Sequence, residues 1–276
     1  FDKAGMQVRN ARGWFGEHSK VPLEAIQAEI PDLSTPVLEV SGHGKAALPA
    51  WLDVVARSPL AGITEHALDR AASTGPATLK LALHLPIDQL ERSRVTGTVG
   101  LQGNRLRFRP DVPELQDARG QVHFSEKGFT LQDVLAQSLG GSVSLAGGLQ
   151  VGKGAPVLDI RAKGRATAEG LRSDAFLAPV ADLAQHAAGA TDYEVQVGLQ
   201  RALPQIVVRS SLQGMALHLP APLGKAAEVA APLQVAQRLT PAAAADSKSP
   251  LQDMLQIHVQ DRAALTYVYD QTGPQS

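Results

Sequence analysis

Apolar side chains recur at every second position in several separate stretches of this 276-residue chain. The longest such row comprises Leu79, Leu81, Leu83, Leu85 and Ile87. Successive side chains of a β-strand point to opposite faces, so a period of two places one row on one face of a sheet. The same alternation returns over residues 95–101, 122–124, 143–151, 193–199 and 255–269. The chain is therefore expected to be mainly β-sheet, with one apolar face.

Two segments depart from this alternation and predict helices. Apolar residues spaced three and four apart occupy 49–72 and 166–190. Ser58-Pro59 divides the first segment, because proline disfavours helical geometry in the residue before it. The expected class is mainly β with a few helices (α+β). Twisted antiparallel sheets would form an elongated, apolar-faced groove or sandwich, with the helices packed at these two segments.

The same patterns suggest how the chain is organised. Residues 1–76 combine strands with a helical segment, 77–165 form a sheet module, and 166–276 combine a helix with a second sheet module. A single continuous domain is the alternative. The Ala-, Ser- and Pro-rich stretch near 240–250 lacks an apolar period and predicts a mobile loop.

Three hairpin turns are expected from residues that favour turn geometry. Gly103 and Asn104 both tolerate positive φ and suit a tight turn. The segment 126–128 ends in glycine between two apolar stretches. Asp261-Arg262 separates the last two alternating stretches and predicts a final hairpin.

Composition and motif spacing argue against catalysis, metal binding and nucleic-acid binding. The chain has no cysteine, which excludes disulfides, thiolate catalysis and Cys-based zinc sites. No two of its eight histidines lie within five residues of each other. The 26 basic residues are scattered and balanced by 27 acidic ones, unlike the concentrated basic face of a nucleic-acid binder. We expect no enzyme activity, no cofactor and no metal.

The ends of the chain suggest an internal piece of a longer protein. The sequence begins at Phe1 and holds no apolar run of the roughly 18 residues that a membrane-spanning helix needs. Any targeting signal or anchor is expected outside this segment, which we expect to be monomeric.

An ordered set of short strings resembles one protein family over most of residues 20–235. The strings are Ile30-Pro31-Asp32-Leu33, Ser58-Pro59-Leu60, Gly120-Gln121-Val122-His123-Phe124, Leu139-Gly140-Gly141, Leu212-Gln213-Gly214-Met215 and Leu219-Pro220-Ala221-Pro222-Leu223-Gly224-Lys225. In this order and at these distances they resemble the YhdP proteins, members of the AsmA-like group that includes TamB.

That resemblance implies a location and a role. Members are Gram-negative envelope proteins that are held in the inner membrane by a helix and project into the periplasm. Their long β-sheet grooves have an apolar inner face, along which phospholipids move toward the outer membrane. This chain would then be a periplasmic segment whose ligands are phospholipid acyl chains and whose membrane helix lies elsewhere. The family has no catalytic residues to carry over.

The apolar strand rows supply the candidate lipid-contacting residues. They are Leu79, Leu81, Leu83, Leu85, Val95, Val99, Leu101, Val122, Phe124, Val143 and Leu145. The same rows could instead pack against the predicted helices as an ordinary core, because sequence alone does not separate the two. A second hypothesis is a structural or docking module in outer-membrane biogenesis, which binds envelope proteins through a sheet edge.

Overall fold

In the computed structural model, the described residues are 5–15, 21–56, 71–109, 112–174, 182, 184–201, 203–245 and 250–270. The chain divides into two compact units, unit 1 (residues 1–136) and unit 2 (residues 137–276). Each unit is described by itself. The boundaries expected from composition, at 76 and 165, stay a prediction.

Unit 1 is built on one antiparallel sheet. Its described elements are β1 (Met6–Phe15), β2 (Val21–Ile30), β3 (Val37–Ala47), α1 (Leu48–Ala56), β4 (Ala72–Thr74), β5 (Pro76–Pro86), a 3₁₀ turn (Leu90–Arg92), β6 (Arg94–Arg107), β7 (Leu115–Ser125) and β8 (Gly128–Ser138), the last of which belongs to this unit as far as Ala136. The strand order is β1-β2-β3-β5-β6-β7-β8, and the short β4 pairs with the far end of β6.

Unit 2 repeats the same sheet plan. Its described elements are β9 (Gly141–Gln150), β10 (Val157–Thr167), α2 (Ala168–Ser173), β11 (Ala187–Gln200), β12 (Leu203–Ser210), β13 (Met215–Leu217), β14 (Leu233–Leu239), α3 (Pro241–Ala245), β15 (Gln252–Val259) and β16 (Ala263–Asp270). The strand order is β9-β10-β11-β12-β14-β15-β16, with β13 paired to the start of β11. Both units confirm the mainly β class with a few short helices.

The helix predicted over 49–72 is confirmed only at its start. Helix α1 covers Leu48–Ala56, and residues 57–70 lie outside the described part of the chain, with the predicted break at Ser58-Pro59. The end of the prediction is wrong, because Ala72–Thr74 is a strand. Its Ser73 pairs with Leu106 of β6, so backbone pairing within the sheet overrides the helical spacing.

The helix predicted over 166–190 is also shorter than expected. Helix α2 covers Ala168–Ser173, and most of 175–183 lies outside the described residues. The alanines near 187–190 belong to β11, where Ala187 pairs with Leu217. Ala187 is buried with Ala168 and Met215, so small side chains here serve close packing.

The mobile loop predicted near 240–250 is wrong over its first half. Pro241–Ala245 form the short helix α3, while residues 246–249 lie outside the described part. The Thr240 hydroxyl accepts a hydrogen bond from the Ala243 amide at 3.3 Å, which caps the helix start. Proline at the first helical position suits this geometry, and Ala243 is buried.

One of the three predicted turns is wrong. Residues 126–127 and 260–262 form turns as expected, but Gly103 and Asn104 lie inside β6. Gly103 has a positive φ of 81°, at a register shift between β6 and β7. The fully buried Asn104 amide donates to the carbonyls of Thr74 and Pro76, both at 3.0 Å. This side chain stabilises a bulge in a continuous strand.

Candidate apolar binding face

Nine of the eleven candidate residues lie in unit 1, and strand register places them on one face of its sheet. Leu79 is opposite Val99, and Val99 is opposite Val122. Leu83 is opposite Val95 in the same way. Directly opposed residues of antiparallel strands point to the same side. The nine are Leu79, Leu81, Leu83, Leu85, Val95, Val99, Leu101, Val122 and Phe124.

Strands β1 to β3 extend this face with residues that the sequence analysis did not single out. Val8 is opposite Ala28, Ala28 is opposite Val40, and Val40 is opposite Leu83. A row of aliphatic side chains therefore crosses β1, β2, β3, β5 and β6 without a polar interruption. Together with the nine candidates, these residues form the apolar face of unit 1.

The remaining candidates, Val143 and Leu145, lie on the corresponding face of unit 2. Leu145 begins a row in which every opposed residue is apolar, across seven strands. The row is Leu145, Ala162, Val195, Val208, Val235, Ile257 and Leu265. The alternation in β11 to β16 is visible in the sequence. Only its cross-strand alignment, which needs the register, identifies these residues as one apolar face of unit 2.

One end of the apolar face of unit 1 is covered by helix α1. The Trp51 side chain is 3% exposed, and its Nε1 donates to the Ala77 carbonyl at 3.4 Å. A Cβ atom at Gly44 would lie 3.3 Å from Trp51 Cη2, so glycine lets the indole lie close to β3. Ala77 and Leu79 beneath the helix are 0% and 5% exposed. For Leu79, the core interpretation therefore describes the structure.

The face of unit 1 becomes accessible with distance from α1. Leu81, Leu83 and Leu85 follow Leu79 along β5, and all three are partly exposed. The other partly exposed candidates of unit 1 are Val95, Val99, Leu101, Val122 and Phe124. Burial thus falls along the strand direction while the side chains stay apolar. This accessible apolar area can contact a hydrocarbon ligand.

Each apolar face contains an aromatic ring packed over a glycine of the neighbouring strand. Gly97 is opposite Phe124, and a Cβ atom at Gly97 would lie 2.6 Å from Phe124 Cε1. Gly164 is opposite Tyr193, and a Cβ there would lie 2.8 Å from Tyr193 Cζ. Burial raises the pKa of the Tyr193 hydroxyl above its usual value. The missing side chain at each glycine leaves room for the ring.

The opposite face of each sheet is polar. In unit 2, Lys163 Nζ and Glu194 Oε1 form an ion pair at 2.8 Å between adjacent strands. Both side chains are exposed. The hydrogen bond from Lys163, together with its charge, holds the pKa of Glu194 below its usual range. In unit 1, His123 contacts Thr98 at 2.8 Å and Gln132 at 2.5 Å. Each sheet thus has one apolar and one hydrated side.

Unit 2 differs at the end of its face that adjoins α3. Gln237 Nε2 donates to the Tyr269 hydroxyl at 2.9 Å and approaches Asp253 Oδ2 at 3.5 Å. Asp253 and the neighbouring Leu239 are buried. The polar side chains of Gln237, Asp253 and Tyr269, on β14, β15 and β16, therefore mark the end of the apolar rows of unit 2.

Metal-ligand clusters and membrane-spanning helices are both absent from the described residues. Among them, no group of three or more His, Cys, Asp or Glu side chains is placed to hold a metal ion. None of the helices in the described ranges is long and apolar enough to cross a bilayer. What the arrangement offers chemically is contact with hydrocarbon on one side of each sheet.

Comparison with known proteins identifies one family. The family model described as YhdP protein matches residues 1–273, nearly the whole chain. A search of curated proteins and a search of solved structures gave no match. The family inferred from the ordered strings is thereby confirmed.

Proposed function

This chain belongs to the YhdP protein family, and we propose that it moves phospholipid between the inner and outer membranes along its apolar sheet faces. Family membership supports an AsmA-like role in lipid transport at the level of the family as a whole. Phospholipid as cargo, the periplasm as location and a tether to the inner membrane through a helix elsewhere are our proposals. We propose no catalytic step.

The observation that carries this proposal is the accessible apolar row that continues from strand to strand. In unit 2 the row includes Leu145, Val195, Val208 and Ile257 and ends at Leu265 of β16. The Leu265 side chain is 57% exposed. Soluble proteins rarely expose contiguous apolar surface of this kind without a ligand or partner. An apolar path across many strands would let a hydrocarbon ligand pass from one strand to the next.

Energetics explain why such a face is useful. A phospholipid has about 30 methylenes, and exposing them to water costs about 0.8 kcal/mol each, or more than about 20 kcal/mol in total. Aliphatic side chains on one face replace water around the acyl chains and lower this barrier. The polar side chains on the other face, such as Lys163 and Glu194, keep the sheet hydrated.

The test is native mass spectrometry of the purified chain combined with lipid extraction. Leu83→Asp places a charge on the apolar face of unit 1, and Ala82→Asp places the same charge on the opposite, exposed side of the same strand. Val195→Asp and Gln196→Asp form the matched pair in unit 2. Circular dichroism establishes that each variant retains its sheet content.

We expect phospholipid to copurify with the unmodified chain and with both control variants, and to be reduced in the two apolar-face variants. A chain that stays lipid-free when phospholipid is supplied would contradict the proposal and favour the docking module. Equal lipid loss in both members of each pair would also contradict it.

A further inference from the structure

We propose that a phospholipid on unit 1 lies along its strands, with the methyl ends of its acyl chains at the end that Trp51 of α1 closes and its headgroup at the opposite end of β5. This inference rests on the proposed function. It adds the direction in which the ligand lies and the side chain that ends its path.

Burial of the apolar side chains decreases along β5. Leu79 is buried under α1, whereas Leu81, Leu83 and Leu85 are partly exposed. A hydrocarbon chain that covers these three leucines therefore ends at the buried Leu79, where Trp51 of α1 closes the face. The neighbouring Leu48 of α1 is also buried, so the helix is closely packed at this end of the face.

Two backbone carbonyls at the end of the face that α1 covers already have hydrogen-bond donors. The Ala77 carbonyl accepts from Trp51 Nε1, and the Gly75 carbonyl accepts from the Leu48 amide at 2.9 Å. A phosphate or ammonium group placed here would lose its hydration, and these two carbonyls are already bonded, so the position is unfavourable for a headgroup. The methyl ends of the acyl chains carry no such penalty.

The end of β5 that is distant from α1 has exposed and charged side chains. Val37 is opposite Pro86, so the connections before β3 and after β5 lie at the same end of the sheet. There Leu90 is 64% exposed, and the charged side chain of Arg92 is exposed as well. A headgroup at this end remains in water beside this charged group, while the glycerol region meets exposed aliphatic side chains.

The length of the accessible run fits one acyl chain. Leu81 and Leu85 are four residues apart on β5, which corresponds to about 14 Å at about 3.4 Å per residue. One leaflet of a bilayer provides about 15 Å, half of the roughly 30 Å hydrocarbon core. A phospholipid chain can therefore extend along β5 between the headgroup end and Trp51.

The experiment uses Trp51 as its own probe. The chain has two tryptophans, and Trp14 is 75% exposed, so Trp14→Phe leaves Trp51 as the single indole. The variant is loaded with phosphatidylcholine that carries a doxyl quencher either near the acyl methyl end or near the carbonyl. Retained probe is measured by electron spin resonance after gel filtration.

We expect a larger loss of Trp51 fluorescence with the doxyl group near the methyl end. A second variant, Trp14→Phe with Trp51→Phe and Leu85→Trp, moves the indole to the other end of the accessible run, and the order of the two probes should reverse. Equal quenching by both probes, the opposite order, or bound probe without quenching would overturn this orientation alone. Failure to retain either probe would overturn the proposed function and the orientation with it.

Discussion

The two units share a design at one end of their sheets and differ at the other. In unit 1, β3 leads directly into α1, and in unit 2, β10 leads directly into α2. Gly44 and Gly164 each lie four residues before the helix begins. Both glycines are closely approached by an aromatic ring, Trp51 in unit 1 and Tyr193 in unit 2. In both units, therefore, a strand with a glycine packed against an aromatic ring continues into a helix.

The other ends of the two faces are built differently. In unit 1 the apolar side chains of β5 stay partly exposed as far as Leu85. In unit 2 the strand β14 leads into α3, and Leu239 and Asp253 at that end are buried. Strands with similar alternation therefore provide runs of accessible apolar side chains that differ in length. The length depends on which connections fold back as helices.

The largest expected effect concerns the bulge in unit 1. Asn104→Ala removes two hydrogen bonds to backbone carbonyls and one from the Gln102 amide at 2.7 Å. At about 1 kcal/mol per bond, we expect a loss of about 3 kcal/mol in the free energy of unfolding. Both tryptophans lie in unit 1, so urea unfolding followed by tryptophan fluorescence reports this unit.

Hydrogen exchange of peptides from unit 2 provides the control for Asn104→Ala, and they should keep their protection. Faster exchange throughout both units would show that the units do not unfold separately. An unchanged urea midpoint would contradict the role assigned to Asn104.

The counterpart in unit 2 is a buried lysine, for which we expect a smaller effect. Lys225 Nζ donates to the carbonyls of Leu212 at 2.8 Å, Ala226 at 3.1 Å and Met215. Lys225→Met leaves these carbonyls without their donor but also removes the cost of burying a charge. We expect a loss of about 2 kcal/mol, measured as faster hydrogen exchange in unit 2. A loss larger than that of Asn104→Ala would contradict this comparison.

Substitution of Gly97, packed against Phe124, and of Gly164, packed against Tyr193, should destabilise the two units to a similar extent. Gly97→Ala brings a methyl group against Phe124 and to 2.8 Å from the Lys80 carbonyl oxygen, and Gly164→Ala brings one to 2.7 Å from the Tyr193 hydroxyl. We expect each to cost about 1–2 kcal/mol, since overpacking forces the ring or the backbone to move. Gly152→Ala is the control, because a Cβ there meets nothing within 4 Å. Equal stability of all three variants would show that the rings do not depend on these glycines.

The smallest expected effect is the acid response of the polar face of unit 2. The pKa of Glu194 is lowered by Lys163, so this ion pair stabilises the fold at neutral pH and the contribution disappears as pH falls through the lowered pKa. Lys163→Gln should raise the Glu194 pKa toward its ordinary value, measured by NMR titration of the carboxyl group. Lys153→Gln, at an exposed site between β9 and β10, should leave it unchanged. An unaltered titration in Lys163→Gln would contradict the assigned cause.

Sequence reasoning succeeds where one local rule decides the outcome. A period of two determines which side chains share a face, so the alternation alone is enough to place Leu79 with Leu83 and Val95 with Val99. The turn before Gly128 can be predicted in the same way, because glycine and its neighbours favour turns wherever they occur.

It fails where contacts between residues far apart in the sequence determine the local structure. Asn104 after Gly103 is typical of a turn, but its amide bonds to Thr74 and Pro76, almost thirty residues earlier in the chain. The alanines near Ala187 favour a helix locally, yet packing against Met215 holds them in a strand. The apolar face of unit 2 is only partly identified by sequence, because its row includes small residues such as Ala162, whose position becomes clear only from the register.

The most direct test of an apolar face that carries lipid is photo-crosslinking along β5 in cells that express the chain. A photoreactive amino acid is placed singly at each position from Lys80 to Leu85, and adducts are analysed for phospholipid. Neighbouring positions point to opposite faces of the sheet. We expect phospholipid adducts at Leu81, Leu83 and Leu85 and their absence at Lys80, Ala82 and His84. Adducts of equal yield at all six positions, or at none, would contradict it.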